Sequence, residues 1–217
     1  MARTDVVVVA VLAALTAAVS AFEPALDPRS LSEAIDLGQS RIDDVRSRFH
    51  AAYHIDVMQP PVDYIEVVTP FRRIALDAEA RTRAGERLYG QREALATLGD
   101  NPSRLDIVVE LTFHPLNNYV GVPTFTVSLV PPGGKPIEPR AISRVPRFGP
   151  RLSGMPLPYP YVANSSPPQQ GTQPLLGGSI VAAFDGTTLD PRGTYAVLIR
   201  DSGKDVAKAT ADLARLR

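Results

Sequence analysis

The chain has 217 residues, 44% hydrophobic and 21% charged, with 23 basic side chains balancing 23 acidic ones. That composition belongs to a folded protein with room for one sizeable core, and a formal net charge of zero argues against a general electrostatic grip on nucleic acid or anionic membrane. There is no cysteine, which excludes disulfides, thiolate metal sites, a thiol nucleophile and a lipidated cysteine.

Residues 1–21 have the pattern of a secretory signal peptide: Arg3, an apolar run over 6–19, then Val19-Ser20-Ala21 as a small-residue cleavage signal. The run is short of the roughly 20 residues that a membrane span needs, so membrane contact is expected only if the segment stays uncleaved. The expected location is secreted or periplasmic. Residues 22–61 form a helical segment, with one amphipathic helix expected over 30–57. Ser30 and Glu33 have capping-box spacing, and Ile35, Gly38, Ile42, Val45, Phe49 and Ala52 recur at steps of three and four between charged residues. Pro60-Pro61 would close it.

A β-rich domain is expected over 62–217. Residues 64–69 form a short strand. Ile74, Leu76, Ala78 and Ala80 alternate with Arg73, Asp77, Glu79 and Arg81, which predicts a second strand, although the composition also suits a helix. A short helix over 87–98 ends at Gly99. Residues 105–130 carry the longest period-2 pattern. Leu105, Ile107, Val109, Leu111 and Phe113 share one face, Pro115 ends the run, and Phe125, Val127 and Leu129 repeat it. The two strands are expected to form a pair able to nucleate a core.

Residues 131–178 hold twelve of the 21 prolines and seven glycines and read as a long irregular excursion. Order returns with a strand at Ile180, Ala182 and Phe184, a type I turn at Asp190-Pro191-Arg192-Gly193, and a hairpin through Asp201-Ser202-Gly203-Lys204. Tyr195, just after the type I turn and opening the penultimate strand, sits where immunoglobulin-like sandwiches place their tyrosine corner. Residues 190–213 thus resemble that fold class, without the buried Trp and paired Cys of antibody domains. The resemblance implies a mainly β, antiparallel immunoglobulin-like β-sandwich, preceded by the amphipathic helix and carrying the short second helix.

Three groups of residues are candidates for function. His50 and His54, four apart on the expected helix, have the spacing of two zinc ligands, with His114 as a third; the glutamate of the H-E-x-x-H pattern is missing. Lys135, Arg140, Arg144, Arg147 and Arg151 oppose only Glu138, a local net of 5 − 1 = +4, and arginine forks suit an acidic glycan, a lipid head group or an acidic protein patch, with an envelope protein or an acidic glycan as the expected partner. Tyr159 and Tyr161 lie in an adjoining proline-rich apolar segment that suits partner contact. No nucleophile elbow, phosphate loop or dinucleotide fingerprint occurs. The expected function is an exported, non-catalytic binding or structural module; a metal-binding protein or metal-dependent hydrolase using His50 and His54 is the alternative.

Overall fold

The computed structural model of the chain describes residues 21–217 except 87, 115, 116, 118 and 150–173. Residues 1–20, most of the expected signal peptide, and Arg151, Tyr159 and Tyr161 therefore lie outside the described residues. Among the described residues the fold is mainly β, with four α-helices and two antiparallel sheets. In chain order the elements are α1 (Pro28–Gln39), α2 (Asp43–Ala51), β1 (His54–Gln59), β2 (Val62–Val68), α3 (Pro70–Arg83), α4 (Gln91–Leu98), β3 (Arg104–Thr112), β4 (Thr126–Val130), β5 (Ala141–Phe148), β6 (Leu175–Asp185), β7 (Thr194–Asp201) and β8 (Lys204–Asp212). One sheet has the order β1-β2-β3-β6-β5 and the other β4-β7-β8.

β3 lies at the middle of the five-stranded sheet. Leu105, Ile107, Val109 and Leu111 are each fully buried, as their alternation predicts. In register beside them stand Ile65 and Val67 of β2 and Ile180, Ala182 and Phe184 of β6. The facing sheet supplies Val127, Leu129, Tyr195, Val197, Ile199, Ala207 and Ala211 to the same core. β3 and β4 are not hairpin partners: one belongs to each sheet, and the chain crosses between them through residues 113–125. The expected turns do form. Gly193 N–H donates to the Asp190 carbonyl at 2.9 Å, and Ser202 and Gly203 both take positive φ in the β7–β8 hairpin. The Tyr195 hydroxyl accepts from the Asp190 backbone N–H at 2.7 Å.

The helix expected over 30–57 is instead two helices and a strand. Asp27, not Ser30, caps α1, accepting from the Ser30 N–H, with Pro28 at the first turn. α1 stops at Ser40, whose hydroxyl takes the Ile42 N–H and so offers the backbone an alternative to the helix. From His54 the chain is extended, with Ile55 and Val57 turned to the core cluster. Pro60-Pro61 forms the β1–β2 turn. Phe22 and Tyr53 are buried in the core, which joins residues 22–61 to the body of the protein.

The strand expected at 73–81 is helix α3. Thr69 caps it and Pro70 occupies the first turn. Ile74, Ala75 and Ala78 are buried at helical spacing, so that period prevails over the alternation read from Ile74, Leu76, Ala78 and Ala80. α1, α3 and α4 enclose a second apolar cluster containing Leu31, Ala34, Ile35, Phe71, Ile74, Ala94 and Leu98, and Phe49 packs on both clusters. The excursion expected over 131–178 contains strand β5 and the beginning of β6. Gly177 and Gly178 hid that beginning, and both are required by close approaches. A Cβ at Gly177 would stand 2.1 Å from the Leu111 carbonyl oxygen and 2.6 Å from the Arg147 guanidinium.

The α1–α3 contact makes a prediction. Gly38→Ala should gain about 1 kcal/mol in helix propensity. Its new Cβ, however, would lie 2.3 Å from the Ala75 carbonyl oxygen and 2.7 Å from the Ala78 Cβ. The overlap should win, giving a net loss of about 1–3 kcal/mol in urea unfolding. A variant as stable as the parent would mean that the two helices do not meet there.

Candidate functional site

α2 is the least embedded helix, with no buried residue of its own. Charge holds it against α3. Glu79 projects from α3 with a side chain only 8% exposed and collects three partners, two arginines and a histidine. Its Oε1 is ion-paired with Arg46 Nε at 3.2 Å and accepts from Arg83 Nη2 at 2.6 Å, and its Oε2 meets His50 Nε2 at 3.0 Å. A carboxylate this buried needs such compensation, and here it is complete. Arg46 and His50, four residues apart on α2, reach Glu79 from one face; Arg83 reaches it from four residues further along α3.

Beside this cluster lies Arg72, 2% exposed, with its guanidinium over the Tyr53 ring at 5.1 Å. Its Nη1 donates to the Val67 carbonyl at 2.8 Å and its Nη2 is ion-paired with Glu66 at 3.1 Å, while its buried Nε–H has no acceptor. Together Asp43, Arg46, Ser47, His50, Glu66, Arg72, Glu79 and Arg83 line a cleft of about 530 Å³ between α2, α3 and β2, with Leu76 as its apolar wall.

The three histidines are not brought together. His50 is on α2, whereas His54 opens β1, where its Nε2 meets Asp56 at 3.1 Å and its ring stacks on Tyr64 at 4.5 Å. His114 follows the far end of β3. The helical i, i+4 geometry that motivated a zinc site is therefore lost. His50 Nε2 is engaged by Glu79 and its Nδ1 is sealed from solvent, so neither nitrogen is placed to hold a metal or abstract a proton in the cleft. Among the described residues no group of three or more His, Asp or Glu side chains is arranged to hold a metal ion.

The basic run is also redistributed. Arg140 pairs with Asp185. Arg144 turns toward the facing sheet, donating to the carbonyls of Pro123 at 3.1 Å and Phe125 at 3.2 Å. Arg147 crosses β6 over Gly177 to reach Glu110 at 3.0 Å and the Leu111 carbonyl at 3.1 Å. These arginines fasten β5 to the fold, while Lys135, Arg140 and Arg147 stay exposed and Arg151 lies outside the described residues. Glu110, 8% exposed, also accepts from Ser179 at 2.6 Å, and burial followed by the Glu110 and Glu66 charges pushes the adjacent Tyr64 phenol up.

Glu66, Arg72 and Glu79 carry no motif, and sequence alone misses them. The available signals were modest: the Glu79–Arg83 spacing, and Arg46 and His50 sharing a helical face. Nothing local indicates that α2 folds back on α3. Among the described residues no helix is long and apolar enough to cross a membrane. No protein-family model matches the chain, and neither does any curated protein or solved structure.

Removing the Glu79 carboxylate tests its role. Glu79→Ala should cost about 1–3 kcal/mol and raise proteolytic cleavage around α2, because buried donors lose their acceptor. Arg83→Ala, at a side chain 71% exposed, should cost about 0.5 kcal/mol or less. Equal effects of the two variants in urea unfolding would contradict the assignment.

Proposed function

We propose that this protein is an exported, non-catalytic binding module built on an immunoglobulin-like sandwich. The observation that carries this reading is the strand order. β2-β3-β6-β5 opposed to β4-β7-β8 follows the A-B-E-D and C-F-G order of that fold class, with β1 as an added edge strand. Tyr195 supports the same assignment: it opens the strand equivalent to F, and its hydroxyl reaches back to the backbone of Asp190. Immunoglobulin-like folds serve many functions, so the functional part rests on the sites. The ionisable groups of the candidate cleft are committed to ion pairs that dock one element on another, an arrangement suited to recognition. Export rests on Arg3, the apolar run over 6–19 and Val19-Ser20-Ala21. The partner proposed is an envelope protein, met through the cleft or through the outer face of the five-stranded sheet, where Val145 is 56% exposed.

The experiment is photo-crosslinking in the protein's own cells, from a crosslinking residue placed at Val145 or at Arg83 in the full chain. A discrete adduct in the exported fraction is expected from at least one position. No adduct from either position, or adducts confined to the cytosol, would overturn the proposal.

A further inference from the structure

We propose that the bond between Ala21 and Phe22 is a proteolytic processing site open only before the domain folds, because folding draws Phe22 into the core. This rests on the export part of the reading above and adds an order of events to it. The small residues Val19, Ser20 and Ala21 place the cut after Ala21. On the other side of that bond the Phe22 ring is 1% exposed and belongs to the main core. It lies so close to Gly186 that a Cβ there would stand 2.8 Å from its Cζ. The Phe22 N–H, on the nitrogen of the scissile bond, donates to the Leu213 carbonyl at 3.3 Å. The Leu213 N–H donates in turn to the Gly193 carbonyl at 3.0 Å, so Phe22 is latched to the end of β8 and the turn before β7.

An endoprotease takes its substrate extended, with backbone groups and flanking side chains free to enter its own cleft. Susceptibility therefore follows the burial and hydrogen bonding of the affected backbone. Phe22 meets neither requirement once the core has formed. Cleavage and folding compete, and a chain that folds first keeps its apolar run over 6–19. The opposite order leaves a product that fits the fold. Hydrolysis breaks the C–N bond: water gives its hydroxyl to the Ala21 carbonyl carbon and its proton to the Phe22 nitrogen. The new carboxylic acid then passes its own proton to that nitrogen, giving a carboxylate on the departing segment and an ammonium on Phe22. The ammonium keeps an N–H for the Leu213 carbonyl. Ala21, Phe22 and Glu23 line a cleft of about 710 Å³, so the new charge has water and the neighbouring Glu23 carboxylate to meet it.

The test has two arms. The exported protein, recovered from the protein's own cells, should have the intact mass of residues 22–217. In the second arm the full chain meets a signal peptidase in two states, diluted from urea straight into the reaction or folded beforehand. Cutting between Ala21 and Phe22 is expected from the first state and should be about tenfold slower or more from the second, where only the rare open form is cut. Phe22→Ala removes the ring and leaves the cleavage signal intact, so its folded state should be cut nearly as fast as the chain taken from urea. If that variant fails to fold, the two states of the parent carry the test. Equal cutting of both parent states, no cutting of either, or a folded Phe22→Ala as resistant as the folded parent would overturn the inference. An exported protein that is uncut, or that begins at another residue, would overturn it and leave the export reading standing. A chain confined uncut to the cytosol would remove export and this inference together.

Discussion

Burial of β3 on both faces is the constraint on which the other elements depend. One face is apolar without interruption from Leu105 to Leu111, and only a second sheet can cover it, which is what β4, β7 and β8 supply. The other face carries Asp106 and Glu110, and these are also buried, at 7% and 8% exposure. Carboxylates taken out of water must be paired and hydrogen-bonded, and each recruits a different part of the chain. Asp106 takes Arg104 at 2.6 Å and Arg73 at 3.1 Å, which ties the start of α3 to the sheet. Glu110 takes Arg147 and Ser179, which ties β5 across β6. Gly177 is the accommodation this requires, since only a residue without a side chain leaves Arg147 room to cross.

The helical layer repeats the device on a smaller scale. α1, α3 and α4 have an apolar cluster of their own, but α2 has none and is held by Glu79 together with the Phe49 ring, which packs 4.9 Å from Tyr53 and 5.8 Å from Phe71. The candidate cleft is the space left where this charge-docked helix meets β2. Scaffold and site are therefore separate: the packing of the two sheets is set by apolar area, and the cleft by ion pairs.

Much of the scaffold was legible in the sequence, because alternation over residues 105–113 and at Val127, Leu129, Tyr195, Val197 and Ile199 reports a physical face. The turns at Asp190 and Ser202 were legible for the same reason, their residue types being tied to backbone conformation. Strand partnership was not legible, since the same alternation serves a hairpin and a pair of facing sheets. α3 was misread because Ile74 and Ala78 satisfy both periods, with Thr69-Pro70 the cap signal that distinguishes them. β1 was hidden by a run of three-and-four spacings that continued past the true end of α2 at Ala51. The site was the least legible part. The histidine pair depended on a helix that stops before His54, the partners of the basic run (Glu110, Asp185 and two carbonyls) come from distant parts of the chain, and Arg72 has meaning only once the chain has folded around it.

Native-state hydrogen exchange measured amide by amide tests the central role of β3 most directly. If its double burial organises the fold, the amides of β3 and of its neighbour β6 will exchange only through global unfolding, while those of α2 open at much lower free energy. Amides of β3 that exchange more readily than those of β7 and β8, or an α2 as protected as β3, would contradict the account.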